Sequence, residues 1–196
     1  LMIINDILDF SKIESGKMDI TMGEYEPMSM INDVANIIMS HIGQKHVELI
    51  LDISPDIPFE LLGDSLRIKQ IFVNLTNNAV KFTKDGYITI TCKPLVKNDD
   101  EVVLQTTIQD TGIGIKKADL EKLFQSFQQL DSKRNRNLEG TGLGLAISQQ
   151  LLHLMMGTIH VESEYGKGST FSFQLPQRIT RAKPCISIKN PPYAAA

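Results

Sequence analysis

Four side chains between positions 70 and 81 have the types that phosphate chemistry needs. If the segment is helical, at about 100° per residue, Gln70, Asn74, Asn78 and Lys81 share an arc of roughly 80°. Three amides and an ammonium on one stripe offer N–H donors, carbonyl oxygens and a positive charge, a set suited to phosphate oxygens and to a hard cation with its waters. Two glycine-rich strings follow, Asp110-Thr-Gly-Ile-Gly-Ile115 and Gly140-Thr-Gly-Leu-Gly-Leu145. Glycine lets the backbone come close to a ligand and present its N–H groups without a Cβ in the way. The second string opens into a helical pattern over 143–156, so its N–H groups and the positive end of the helix can face phosphates. A dinucleotide fingerprint would need a preceding strand and Gly-x-Gly-x-x-Gly spacing, and a Walker A loop would need Gly-Lys-Ser/Thr; the sequence offers neither.

The elements that must hold these residues can be read from periodicity. Ile3, Ile4, Ile7, Leu8 and Phe10 are spaced as the end of a helix that stops at Gly16. Ile31, Val34, Ala35, Ile38 and Ile42 mark a second helix over about 27–46, and Val47, Leu49, Leu51 and Ile53 alternate as a strand. Asp64 or Ser65 caps the next helix, expected over about 65–82, whose Ile68, Ile71, Phe72, Leu75, Ala79 and Phe82 form an apolar arc beside the polar stripe. Strands are expected at about 87–92 and 102–109 around the polar turn 97–101, and at 158–163 and 169–175 around Tyr165-Gly-Lys-Gly168. Between the glycine strings, 116–124 reads as a short helix and 125–139 as a polar loop. The sum is a two-layer α/β sandwich of the α+β class, its helices on one face of a mixed, mostly antiparallel sheet. Asp110 closes a strand whose Val103 and Ile108 read as buried, so a carboxylate there calls for a bound donor.

The ordered set of Asn74-Leu-Thr-Asn-Asn-Ala-Val-Lys-Phe-Thr83, the two glycine strings and the Phe124/Phe127 segment between them resembles the N, G1, F and G2 boxes of the histidine-kinase ATP-binding domain. That domain belongs to the GHKL superfamily with gyrase-type, chaperone and mismatch-repair ATPases. The resemblance implies ATP and Mg²⁺ as cofactors, with Asn78 at the metal-ligand position and Lys81 at a phosphate-contacting one. Phe82 takes the place of an aromatic near the nucleotide, and Gln70 a polar position that helps the chemical step. Asp110 matches the aspartate that accepts from the adenine amino group, with Gly112, Gly114 and Ile115 wrapping the base and Thr170 beside it. Gly140, Thr141, Gly142, Leu143, Gly144 and Leu145 match the phosphate loop, Phe124 the F box, and Arg136 a lid arginine that reaches the γ-phosphate. Glu139 stands where relatives commonly carry glycine. Asn74 occupies the position where ATPase branches carry a glutamate base for water; an amide cannot take that proton, so hydrolysis is expected to be weak.

The resemblance reads Ile7-Leu-Asp-Phe-Ser-Lys-Ile-Glu-Ser-Gly16 as the close of a dimerisation hairpin. Residues 1–16 are then hairpin end, 17–176 the catalytic and ATP-binding domain, and 177–196 a basic, proline-bearing linker or tail. His41, His46, His153 and His160 lack the His-Glu-x-x-x-Pro context of a phosphoacceptor, so the acceptor histidine is expected upstream of Leu1, the chain being read as an excised fragment of a homodimeric parent. A receiver domain, in cis or in trans, is the expected next partner, as in hybrid sensor kinases. A net charge of −3 and dispersed basic residues argue against nucleic acid, and Cys92 and Cys185 lack metal or redox spacing. No apolar run reaches the ~18 residues a membrane span needs, so a cytoplasmic domain is expected, with any inner-membrane anchor elsewhere in the parent. Two other functions fit the boxes less well: an ATP-driven clamp or ATPase, and a nonhydrolysing nucleotide sensor.

Overall fold

The computed structural model describes residues 2–125 and 142–184. In chain order these form α1 (Met2–Glu14), β1 (Gly23–Tyr25), α2 (Pro27–Ile42), β2 (His46–Ile53), β3 (Pro58–Gly63), α3 (Ser65–Phe82), β4 (Asp85–Lys97), β5 (Glu101–Asp110), the single turn α4 (Lys117–Leu120), α5 (Gly144–Leu154), β6 (Thr158–Glu164) and β7 (Gly168–Pro184). The sheet runs β1-β3-β7-β5-β4-β2, and β6 lies beside β3 on the same edge of β7. Every described pairing is antiparallel except β2 with β4. A parallel pair cannot be closed by a hairpin and needs a crossover. Here β3 and α3 make it, which lays α3 across the sheet.

Strand alternation sorts the side chains. Ile88, Ile90 and Cys92 of β4, Val102, Leu104 and Ile108 of β5, and Phe171, Phe173 and Leu175 of β7 are buried under the helices, while Thr89, Thr91, Thr107 and Ser172 on the opposite face are only partly covered. Helix α3 contributes Ile68, Ile71, Phe72, Leu75 and Ala79 to the same core, with the Phe72 ring edge-on to Phe173 at 5.2 Å. Asp64 is the cap: its Oδ1 accepts from Arg67 N at 3.0 Å and its Oδ2 from Thr21 N at 2.8 Å. The β4–β5 hairpin is longer than the alternation suggested, and 116–124 yields only one helical turn.

Two expectations fail. Residues 177–184 are not linker, because β7 runs on to Pro184 against β3; 185–196 lie outside the described residues. Gln177 is buried and paired with Tyr25, whose hydroxyl donates to its Oε1 at 2.9 Å; burial pushes that phenol above its ordinary pKa. Val103 is only half-buried, since a strand residue five places from Ile108 must face the other way.

Candidate active site

Two junctions gather most of the candidate residues. At the first, α3 meets the start of α5. Asn74 Nδ2 donates to Ser148 Oγ at 2.8 Å, and Ser148 is 2% exposed. The other edge of the amide lies on Gly144, where a Cβ would overlap Oδ1 and fall 2.8 Å from Cγ, so a larger residue there would displace the Asn74 amide. Leu143 at the N-cap of α5 makes no side-chain cap hydrogen bond, so the cap side chain itself does not compete for the N–H groups of the first turn. One and two turns further along α3, Asn78 is half-buried, and the Lys81 ammonium lies 5.3 Å from the centroid of the Phe82 ring. Burial holds Lys81 below the ordinary lysine pKa.

The second junction joins the ends of β5, β6 and β7. Asp110 is buried, and its Oδ1 accepts from Gly112 N at 2.8 Å. Burial raises its pKa, opposed by hydrogen bonds from the backbone N–H groups of Gly112 and Ser169. Ser169 pairs directly with Asp110 across the strands, so the two side chains share a face. Ser169 Oγ is 3.0 Å from Ser163 Oγ, which in turn accepts from Ile115 N at 2.8 Å. Gly114, at φ +64°, sits so close to the Glu164 carbonyl that no Cβ fits, while Gly166 N donates to Ile113 O at 2.7 Å. The β6–β7 turn therefore clasps the first glycine loop. On the other side Ile113 N donates to Phe82 O at 3.3 Å, so Phe82 ties this loop to α3 through its backbone. An open cleft of about 310 Å³ adjoins, with Asp110 and Ser169 in its lining.

Gln70 belongs to neither junction. Its Oε1 accepts from Arg67 Nη1 at 2.9 Å and its Nε2 donates to Asp9 Oδ2 at 2.8 Å. Arg67 Nη1 and Asp9 Oδ2 close the triangle at 3.1 Å, both side chains being less than one-fifth exposed. The polar stripe thus begins in a clamp between α1 and α3.

The pattern for histidine kinase-, DNA gyrase B- and HSP90-like ATPases matches residues 63–179. The chain belongs to this family. Hybrid signal transduction histidine kinase B of Dictyostelium discoideum is 42% identical over 190 residues, 96% of this chain and 10% of that protein. Signal transduction histidine-protein kinase BarA of Escherichia coli (strain K12) is 41% identical over 175 residues, 89% of this chain and 19% of that protein. The chain therefore spans about a tenth to a fifth of these curated relatives. The crystal structure of full-length ShkA in complex with AMPPNP superimposes with a TM-score of 0.79 at 27% identity, covering 93% of this chain and 36% of that one.

In this histidine-kinase-type ATPase fold, not every candidate falls where the sequence put it. Thr170 pairs with Gln109 and Glu162, so alternation turns it to the sheet face opposite Asp110. Ser169 is the neighbour that faces inward. Leu143 is buried at the start of α5; Leu145, Ile115 and Phe124 are half-buried and pack on the core. Gly142 takes φ +71° just before α5, whereas Arg136, Gly140 and Thr141 lie outside the described residues. Sequence reasoning missed Ser148, Ser169, Ser163 and the Asp9–Arg67 pair. Ser148 had one signal, a hydroxyl one turn after Gly144 on the same helix face. No group of three or more His, Cys, Asp and Glu that could hold a metal gathers among the described residues. The donors at hand are amide oxygens, which fit a magnesium ion arriving with its nucleotide, held by phosphates and waters with one protein ligand.

Proposed function

We propose that this chain is the catalytic domain of a sensor histidine kinase that binds MgATP between α3, the first glycine loop and the start of α5. The γ-phosphoryl group passes to a histidine on a helical hairpin upstream. The observation that carries this reading is the α3–α5 junction. An amide stripe without any acidic residue on α3 meets the start of α5, with Asn74 donating to Ser148 and lying against Gly144.

In the proposed pose the carboxylate of Asp110 accepts from the adenine amino group. The N–H groups at the start of α5 and the Lys81 ammonium face the phosphates. Asn78 is the metal ligand, and the ion neutralises charge on the β- and γ-phosphates when it is bound. Transfer breaks the bond between the γ-phosphorus and its bridging oxygen and forms a bond from an imidazole nitrogen to that phosphorus. ADP leaves, and the proton on the other imidazole nitrogen goes to solvent. Positioning and charge neutralisation supply most of the catalysis in such reactions. Hydrolysis is disfavoured because Asn74 cannot deprotonate water and α3 has no carboxylate to replace it. The parent works as a homodimer, and a receiver domain takes the phosphoryl group onward.

The test is to incubate the chain with γ-labelled MgATP and a separate helical hairpin bearing the acceptor histidine. Acid-labile, alkali-stable label on the hairpin is the expected result. Label released only as free phosphate would replace this reading with the ATPase one.

A further inference from the structure

We propose that Ser163 is a positioning residue for the nucleotide: its hydroxyl ties Ile115, at the end of the first glycine string, to the β6–β7 turn and so holds the base pocket in shape. The inference deepens the reading that the base sits beside Asp110, and rests on it.

The inward face of the sheet changes character in its last row. One row further in, Val161, Phe171, Ile108 and Ile90 lie side by side across β6, β7, β5 and β4. All four are apolar. In the last row the neighbours are Ser163, Ser169 and Asp110, and the row meets the core at Ile88 of β4. Three polar side chains at the rim of an apolar face need partners, and all three line the open cleft of about 310 Å³.

Ser163 serves two backbone groups whose roles are fixed by their chemistry. Ile115 N–H can only donate, and does so to Ser163 Oγ at 2.8 Å. The Gly168 carbonyl can only accept, and receives from the same hydroxyl at 2.8 Å. One hydroxyl meets both needs, and no apolar side chain does. A second tie between turn and loop, Gly166 N to Ile113 O at 2.7 Å, runs from backbone to backbone and does not depend on residue 163. Without the hydroxyl the loop stays attached at Ile113 and loses its hold at Ile115.

The cost of that loss falls on the bound state. In the empty chain, water entering the open cleft can satisfy Ile115 N–H in place of Ser163, so stability changes little. A bound base displaces that water and leaves the N–H buried without an acceptor. The loosened loop must also be ordered again as the base enters. Ser163 touches nothing at the start of α5, so a saturated chain transfers at its ordinary rate.

The experiment follows transfer from γ-labelled MgATP to the hairpin over a range of ATP concentrations, with calorimetric ADP binding beside it. Ser163→Ala is expected to raise the KM for ATP and the Kd for ADP about tenfold while kcat stays within about twofold. The Ile115 amide should exchange its hydrogen faster in the ADP-bound variant than in the ADP-bound parent. Ser163→Thr, which keeps the hydroxyl, should restore most of the affinity, and Ser163→Cys, a weaker acceptor, replaces the alanine variant if that one fails to fold. Val161→Ala, one row inward on the same strand and packed on the core, controls for stability: it should lower the melting temperature at least as much as Ser163→Ala and leave the ADP Kd within about twofold. An ADP Kd for Ser163→Ala within twofold of the parent, while Asp110→Asn binds weakly, would overturn the proposal, as would a fall in kcat at unchanged KM. If Asp110→Asn binds ADP as the parent does, the base lies elsewhere and the proposal falls with the reading beneath it.

Discussion

Replacing Asp110 by asparagine separates what the side chain does for the nucleotide from what it costs the fold. One carboxylate oxygen already accepts from Gly112 N at 2.8 Å. In Asp110→Asn the amide oxygen keeps that bond, and the NH₂ group takes the place of the second oxygen. A donor then faces the adenine amino group, itself a donor. The loss is one charge-assisted hydrogen bond, about 1.5–3 kcal/mol, which is about 10- to 150-fold in Kd. Calorimetric titration with ADP and with its 6-oxo analogue measures it. The parent should prefer the 6-amino base, and the variant should lose that preference because its NH₂ can donate to a 6-oxo group. Stability should move separately. Burial raises the Asp110 pKa, so the folded state holds this proton more tightly than the unfolded chain does. The stability contributed by Asp110 is complete below the unfolded value of about 3.9 and is lost as pH rises through the folded one. Asparagine has no such loss, so the stability of the variant relative to the parent should grow as pH rises through the acid range. An ADP Kd within about threefold of the parent, or an unchanged preference between the two bases, would refute the placement of Asp110 against the adenine.

Two further outcomes test other parts of the site. Lys81 is held below its ordinary pKa by burial, and phosphates bind its charged form, so nucleotide affinity should fade on the alkaline side sooner than an ordinary lysine would allow. Lys81→Arg, which keeps its charge, should flatten that profile in a pH series of titrations, and a profile identical to the parent's would discount the lysine. Ser169→Val should weaken ADP binding by about three- to tenfold while Thr170→Val leaves it within twofold, because only Ser169 shares the face of Asp110; the reverse order in the same titration would mean that the strand register is wrong.

What was legible in the sequence was local. The α3 stripe needs only 3.6-residue periodicity, and Asp64 was visible as a cap beside Gly63. What was hidden depends on pairing between distant segments. Ser169 and Thr170 are adjacent, and nothing in Gly-Ser-Thr-Phe says which faces the nucleotide until the register Asp110 to Ser169 is known. Gln70 was singled out, but its partner Asp9 lies 61 residues earlier. The segment from Gln177 resembled a linker because it is short, basic and proline-bearing; Arg178 and Arg181 face solvent on a strand whose Gln177 and Ile179 turn inward, a pattern that makes sense only with β3 alongside.

The Asp9–Arg67–Gln70 triangle binds α1 to the first turns of α3. The single amide of Gln70 is engaged at both edges, and Asp9 Oδ2 serves Arg67 and Gln70 at once. Lifting α1 therefore takes one acceptor away from two donors, and each must find water or another partner before the helix can leave. The two helices move together or the polar stripe is re-paired at its root.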